Sequence, residues 1–226
     1  MRRFVMLLSL VAVMLLGTVT LGPATTTHAQ EASPAAGLGA FDPAGCTVEP
    51  RPMAFFAQFI GTPSAAQEAA MAAMDEATPD AGFRMPEGAP ADEATVNAVL
   101  GAVRQLGSCI NAGDFFGRYA ALFTEDYFQR EFARFGPLPE EDLDFMAATP
   151  EPLPEDIQAS LLAVVDVRVL PDGRVGGLFD VQDPFAEPPG PARFYWEFVE
   201  EDDRWLIDEQ IMLGPIEPGQ IGTPAA

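Results

Sequence analysis

The hydrophobic pattern changes period once along the chain. Over 92–135 apolar positions fall at helical spacing, and from residue 161 onward they alternate. Val96, Val99, Leu100, Val103, Leu106 and Ile110 recur at i, i+3, i+4 and i+7 behind Asp92, a suitable N-cap, and Gly113 ends the run. Asp114 predicts the start of a second helix with Phe115, Tyr119, Leu122 and Phe123 on one side. A third helical run over 124–135 carries Tyr127, Phe128, Phe132 and Phe135 and is stopped by Gly136-Pro137. An acidic, Pro-rich stretch follows, with a short helix expected over 140–147.

Four strands are expected next, over 161–170, 174–182, 192–200 and 204–213. Pro171-Asp172-Gly173 and Glu201-Asp202-Asp203 read as tight turns, so the strands pair as two hairpins, separated by a longer loop over 183–191. Alternation places Val165, Val167, Val169, Phe179, Val181, Phe194, Trp196, Phe198, Trp205, Ile207 and Ile211 on one face, under the helices. The other face gathers Asp166, Arg168, Asp180, Gln182, Arg193, Tyr195, Glu197, Asp208 and Gln210, and reads as a solvated surface.

The flanks lack such periodicity. Arg2 and Arg3 precede an apolar run over 4–21, and Thr27-His28-Ala29 suits signal cleavage; a retained membrane anchor with the domain outside is the alternative. Residues 30–45 and about 61–91 are rich in Ala, Pro, Gly and acids and read as linker, with a short helix near 65–74. Between them Met53, Phe55, Phe56, Phe59 and Ile60 form an apolar patch expected to dock on the domain. The expected organisation is a signal peptide over 1–29, a low-complexity arm over 30–91 with its docked segment at 46–60, one domain over 92–213, and a disordered tail over 214–226.

Composition then narrows the chemistry. Beyond residue 29 there is no histidine and no lysine, which excludes His-based acid/base pairs, Ser-His and Cys-His nucleophiles, Lys Schiff bases and His-ligated metals. No metal or cofactor is expected. Removing Arg2 and Arg3 from the 12 basic residues leaves 10 arginines against 34 acidic residues, so the processed chain carries −24. That charge repels phosphate backbones and anionic lipid, which disfavours nucleic-acid and peripheral membrane roles. The two cysteines of an exported chain predict a Cys46–Cys109 disulfide, with two free buried thiols as the alternative.

A helix, the run NAGDFF at 111–116, a second helix ending LFTEDY at 122–127, and an antiparallel meander closing with RWLIDE at 204–209 together resemble the nuclear transport factor 2-like, or SnoaL-like, superfamily. The resemblance spans about 120 residues. It implies an α+β cone in which a curved antiparallel sheet of four or more strands wraps around helices and leaves a pocket at one end, here behind a long N-terminal extension. It departs over 125–156, where such folds often insert a hairpin.

The resemblance implies several functions. One is a non-catalytic binding or interaction module whose pocket, lined by Phe123, Phe128, Phe179, Phe194, Trp196 and Trp205, takes a small apolar ligand or a protein partner. A second is a cofactor-independent isomerase or lyase acting on an apolar carbonyl compound. Glu209, the one acid on the apolar face of the last strand, would be its base and Tyr119 or Tyr127 its hydrogen-bond donor. A bulge in that strand would instead turn Glu209 outward, and the tyrosines also suit a core stripe. A third is a homodimer through the outer sheet face.

Overall fold

The computed structural model describes residues 38–61, 83–140, 148–186 and 189–223. The leader, the helices expected over 65–74 and most of 140–147, and the last three residues lie outside them. Among the described residues no helix is long and apolar enough to cross a membrane.

The fold is α+β. Elements run β1 (Gly39–Ala40), α1 (Met53–Phe56), β2 (Ala89–Pro90), α2 (Glu93–Asn111), α3 (Glu125–Phe135), β3 (Ser160–Val169), β4 (Val175–Asp183), β5 (Gly190–Glu201) and β6 (Arg204–Pro215). The sheet is antiparallel, in the order β1-β3-β4-β5-β6, and β2 pairs with the far end of the same β3 edge that takes β1. All four expected strands form, and the β5–β6 turn puts Asp202 and Asp203 at positive φ, as a tight hairpin turn requires.

Helix α2 begins as its cap foretells, with Asp92 accepting the Thr95 N–H at 2.8 Å. Its apolar stripe, Val99, Leu100, Val103 and Leu106, is buried against one face of the sheet, the inner face, and Phe179, Phe194, Trp196, Phe198 and Ile207 complete the core. Thr124 caps α3 by accepting the Tyr127 N–H at 3.0 Å.

The helix expected from Asp114 does not form; residues 115–119 are turns and Ala120–Leu122 is a single 3-10 turn. Asp114 does accept the N–H groups of Gly117 and Arg118, as an N-cap would. The ladder is then diverted, because the Gly117 carbonyl takes the Arg51 N–H at 3.1 Å and the Arg51 guanidinium takes the Ala120 and Phe123 carbonyls. Arg51 comes from the N-terminal arm, so a tertiary contact overrides the local helix signal.

The arm is integral to the fold. Phe41 is buried so tightly against α2 that a Cβ on Gly107 would lie 2.0 Å from its ring. The Cys46–Cys109 disulfide straps the arm to α2 across 63 residues, worth about 4 kcal/mol on the chain-entropy account. The apolar patch docks as expected: Phe55, Phe56 and Phe59 pack edge-on or stacked against Phe128 and Phe132 of α3.

The tail is also ordered where disorder was expected. Strand β6 extends to Pro215, and Pro218–Gln220 forms a 3-10 turn closed by a Glu217/Gln220 capping box. Residues 220–222 lie on the other, outer face of the sheet. There Gly222, at φ 74°, donates its N–H to Asp180 Oδ2 at 2.7 Å, and Arg193 Nη2 reaches the Gln220 carbonyl at 3.2 Å.

The outer face is consequently not the solvated surface expected. Asp180 is 0% exposed and paired to Arg193 through two bonds of 2.7 and 3.0 Å. Phe83, from the segment read as linker, packs its ring on Tyr195 with centroids 4.8 Å apart. Tyr195 donates to Glu197 at 2.7 Å, and Glu197 is ion-paired with Arg174.

Candidate functional site

The inner face of the sheet and the helices over it carry the residues that sequence patterning singled out. Phe123, Phe179, Phe194 and Trp196 are buried, while Phe128 and Trp205 pack against the core at its margin. Their rings meet one another: Trp196 stacks between Phe179 and Phe194 at 5.0 and 5.5 Å, and Phe123 contacts Tyr119 and Tyr127 at 5.0 and 4.6 Å. These side chains pack against one another between the helices and the sheet. The best-formed clefts of the described residues lie elsewhere. One, of about 330 Å³, runs between the α1 region and α3 along Phe59, Ile60, Phe132, Ala133 and Pro137, and the other, of about 310 Å³, lies beside Gly113–Phe116 and 148–151.

Glu209 does not take the inward position expected of it. Glu197 pairs with Glu209 and Phe198 with Ile207, so Asp208 is an extra residue on β6 and side-chain parity flips there. Gln210 then faces inward opposite Trp196, while Ile211 lies opposite Tyr195 and is 37% exposed. The bulge is held in place from α3: Asp208 accepts the Thr124 hydroxyl at 2.7 Å, and Arg130 contacts both the carboxylate and the carbonyl of Asp208. Strand β3 is bulged too, which puts Val164 rather than Val165 opposite Phe179.

Tyr119 and Tyr127 stay close to acids nonetheless. Burial holds both phenols above their ordinary range, and the nearby charges add to it: Asp183 for Tyr119, and Tyr119, Glu131 and Glu209 for Tyr127, with Arg130 opposing. Both hydroxyls therefore remain protonated donors at neutral pH. Two further acids gather here that the sequence reading did not single out. Asp183 continues the inward series Phe179, Val181 on β4, and burial raises its pKa although it accepts the Phe185 N–H at 2.8 Å. Glu131, one turn after Tyr127 on α3, is raised chiefly by burial and also by Glu209, with Arg134 and Arg130 pulling the other way. Period two could have found Asp183; Glu131 needed the packing angle of α3.

The Glu131 shift makes a directional prediction. A raised folded-state pKa means the protonated form stabilises the fold, an effect complete below the ordinary pKa of 4.5 and lost as pH rises through the folded value. Glu131→Gln should therefore raise the melting temperature at pH 7 and change it little at pH 3.5. Thermal melts at both pH values check this; a lower melting temperature at pH 7 would contradict it.

Chemically, this region offers protonated phenols, an indole N–H and carboxyls of raised pKa, with Arg130 and Arg134 near two of them. No group of three or more His, Cys, Asp or Glu among the described residues could hold a metal ion. Compared with known proteins, the chain matches no family model, no curated protein and no solved structure.

Proposed function

We propose that the chain is an exported domain of the nuclear transport factor 2-like kind that binds a protein partner without catalysis. Supporting the architecture are the order of a long helix followed by a bulged antiparallel meander and the packing of that helix on one sheet face. A disulfide between the arm and α2 suits an oxidising compartment. The observation that carries the non-catalytic reading is the bulge at Asp208, which pairs Glu209 with Glu197 and puts Gln210 opposite Trp196, among rings that pack on one another.

The partner surface is the cleft between the α1 region and α3, with an apolar floor at Phe59, Ile60, Phe132 and Pro137 and Gln58 and Gln129 at its rim. On a chain of net charge −22, such a cleft suits one large apolar side chain flanked by basic residues. Ala133, exposed on α3, is the residue to block it. Panning a display library of ten-residue peptides on the full chain should enrich Lys- or Arg-rich sequences around one large apolar residue. Ala133→Arg, which is compatible with the C-terminal end of a helix, should weaken their binding at least about tenfold, the loss expected on removing a central apolar contact. Enrichment of acidic peptides, or binding indifferent to Ala133→Arg, would refute the assignment.

A second reading, a cofactor-independent isomerase or lyase acting on an apolar carbonyl compound, draws on the approach of Glu131 and Glu209 to Tyr127. It requires a carboxylate and Tyr127 to reach one substrate in a space that rings now occupy. A dimer through the outer face would require residues 220–222 to leave Asp180 and Arg193.

A further inference from the structure

The bulge at Asp208 has a second effect on the interior. By shifting parity it makes Gln210 the cross-strand partner of Trp196, on the inner face. Trp196 is 4% exposed and its ring is held between Phe179 and Phe194, so the indole cannot swing to find an acceptor. Among the described residues its Nε1–H has no hydrogen-bond partner, and neither has Oε1 of Gln210; both atoms are buried. Side chains of directly paired residues have Cβ atoms about 5 Å apart, which puts this donor and this acceptor within reach of a single bridging group. Buried polar atoms left unmatched cost about 1–3 kcal/mol each, so two of them facing each other across one strand pair call for a shared partner.

We propose that Trp196 Nε1–H and Gln210 Oε1 form a two-point site for one neutral hydroxyl group, which accepts from the indole and donates to the amide. A carbonyl could satisfy only the indole and an ammonium only the amide; a hydroxyl satisfies both. Ionised carboxylates and phosphates are unsuited, because they bring no donor to the amide oxygen. Rotating the Gln210 amide by half a turn does not remove the need, since it would oppose two donors and still leave the indole without an acceptor. The interior is filled by rings, so the occupant is small: a water molecule, or the hydroxyl end of a small alcohol. This site is independent of the surface cleft assigned to the partner protein.

The test uses the full chain labelled with ¹⁵N, with Trp205→Phe to assign the two indole N–H signals. If the occupant is water, the protein alone shows a cross-peak between the Trp196 indole proton and a long-lived water, absent in Gln210→Leu. If it is an alcohol, adding ethanol gives a saturable shift of the Trp196 indole signal, and Gln210→Leu removes it. In either case Gln210→Leu lowers the melting temperature, because a satisfied bridge is lost. The proposal is overturned if neither signal is seen, if ethanol shifts the Trp205 indole equally, or if Gln210→Leu raises the melting temperature, as removal of an unmatched acceptor would. Gln210 lies on the edge strand and is only half-buried, so the variant is expected to fold.

Discussion

Asp180→Asn should destabilise the protein by about 3–5 kcal/mol, the usual loss when one partner of a buried ion pair is removed and the other charge stays behind. Asp180 is fully buried and makes three bonds at once: two to the Arg193 guanidinium and one from the Gly222 N–H. The amide would keep one acceptor and turn a donor toward the guanidinium. Arg193, itself buried, would lose its counter-charge and keep one amide oxygen and the Gln220 carbonyl. The effect should also be local. Because residues 220–222 are held to the sheet through these polar bonds, exchange of the Gly222 amide should accelerate in Asp180→Asn well beyond the change at core amides such as Val103. Chemical denaturation measures the first effect and hydrogen exchange the second. A destabilisation below 1 kcal/mol with unchanged Gly222 exchange would show that the pair does not hold the C-terminal segment. Replacing both partners with leucine should be milder than the single change, since an apolar pair of similar volume leaves no buried charge.

Asn111→Ala should have a comparable effect, about 3 kcal/mol or more, for a different reason. Asn111 is fully buried at the end of α2, and its amide meets three backbone groups. It donates to the Phe41 carbonyl at 2.8 Å and the Ala159 carbonyl at 3.0 Å, and accepts the Ala159 N–H at 2.7 Å. These tie the arm, α2 and the start of β3 to one side chain. Alanine leaves all three backbone groups to water they cannot reach, except that Phe41 N–H can still pair with the Ala159 carbonyl at 3.4 Å. Asn111→Asp keeps the size and the acceptor but loses the donors, so it should be nearly as damaging at neutral pH. If either variant melts within a degree or two of the parent, the three bonds are not what joins the arm to the domain.

Where the sequence was legible, its signals were local. The α2 stripe, the Asp92 and Thr124 caps, the four strands and both hairpin turns each follow from periodicity or turn chemistry within a dozen residues. The cysteine pair needed only the inference of an oxidising compartment. The failures share a cause: contacts between distant segments. Arg51 reaches the carbonyls that would have continued a helix from Asp114. Phe83 and residues 220–222 cover a face whose charged alternation looks solvated, and they do so largely through backbone groups and one ring, which leave no periodic mark. At the candidate site the same limit applied. The tyrosines and aromatic residues fell on the expected side, but one extra residue in β6 exchanged Glu209 for Gln210, and alternation cannot register an insertion of one.

The sheet ends in two borders. On one, β1 and β2 occupy the opposite ends of β3. On the other, β6 is interrupted at Asp208 and again near Leu213, is bridged at Ile207 by Phe123, and stops at Pro215. Among the described residues neither border therefore presents a long, flat ladder of free N–H and C=O groups on which another chain could grow. The same irregularity that relocates Glu209 should thus act as a guard against cross-β stacking, and a variant that deletes Asp208 to straighten the strand would be expected to form thioflavin-positive aggregates on concentration where the parent stays dispersed.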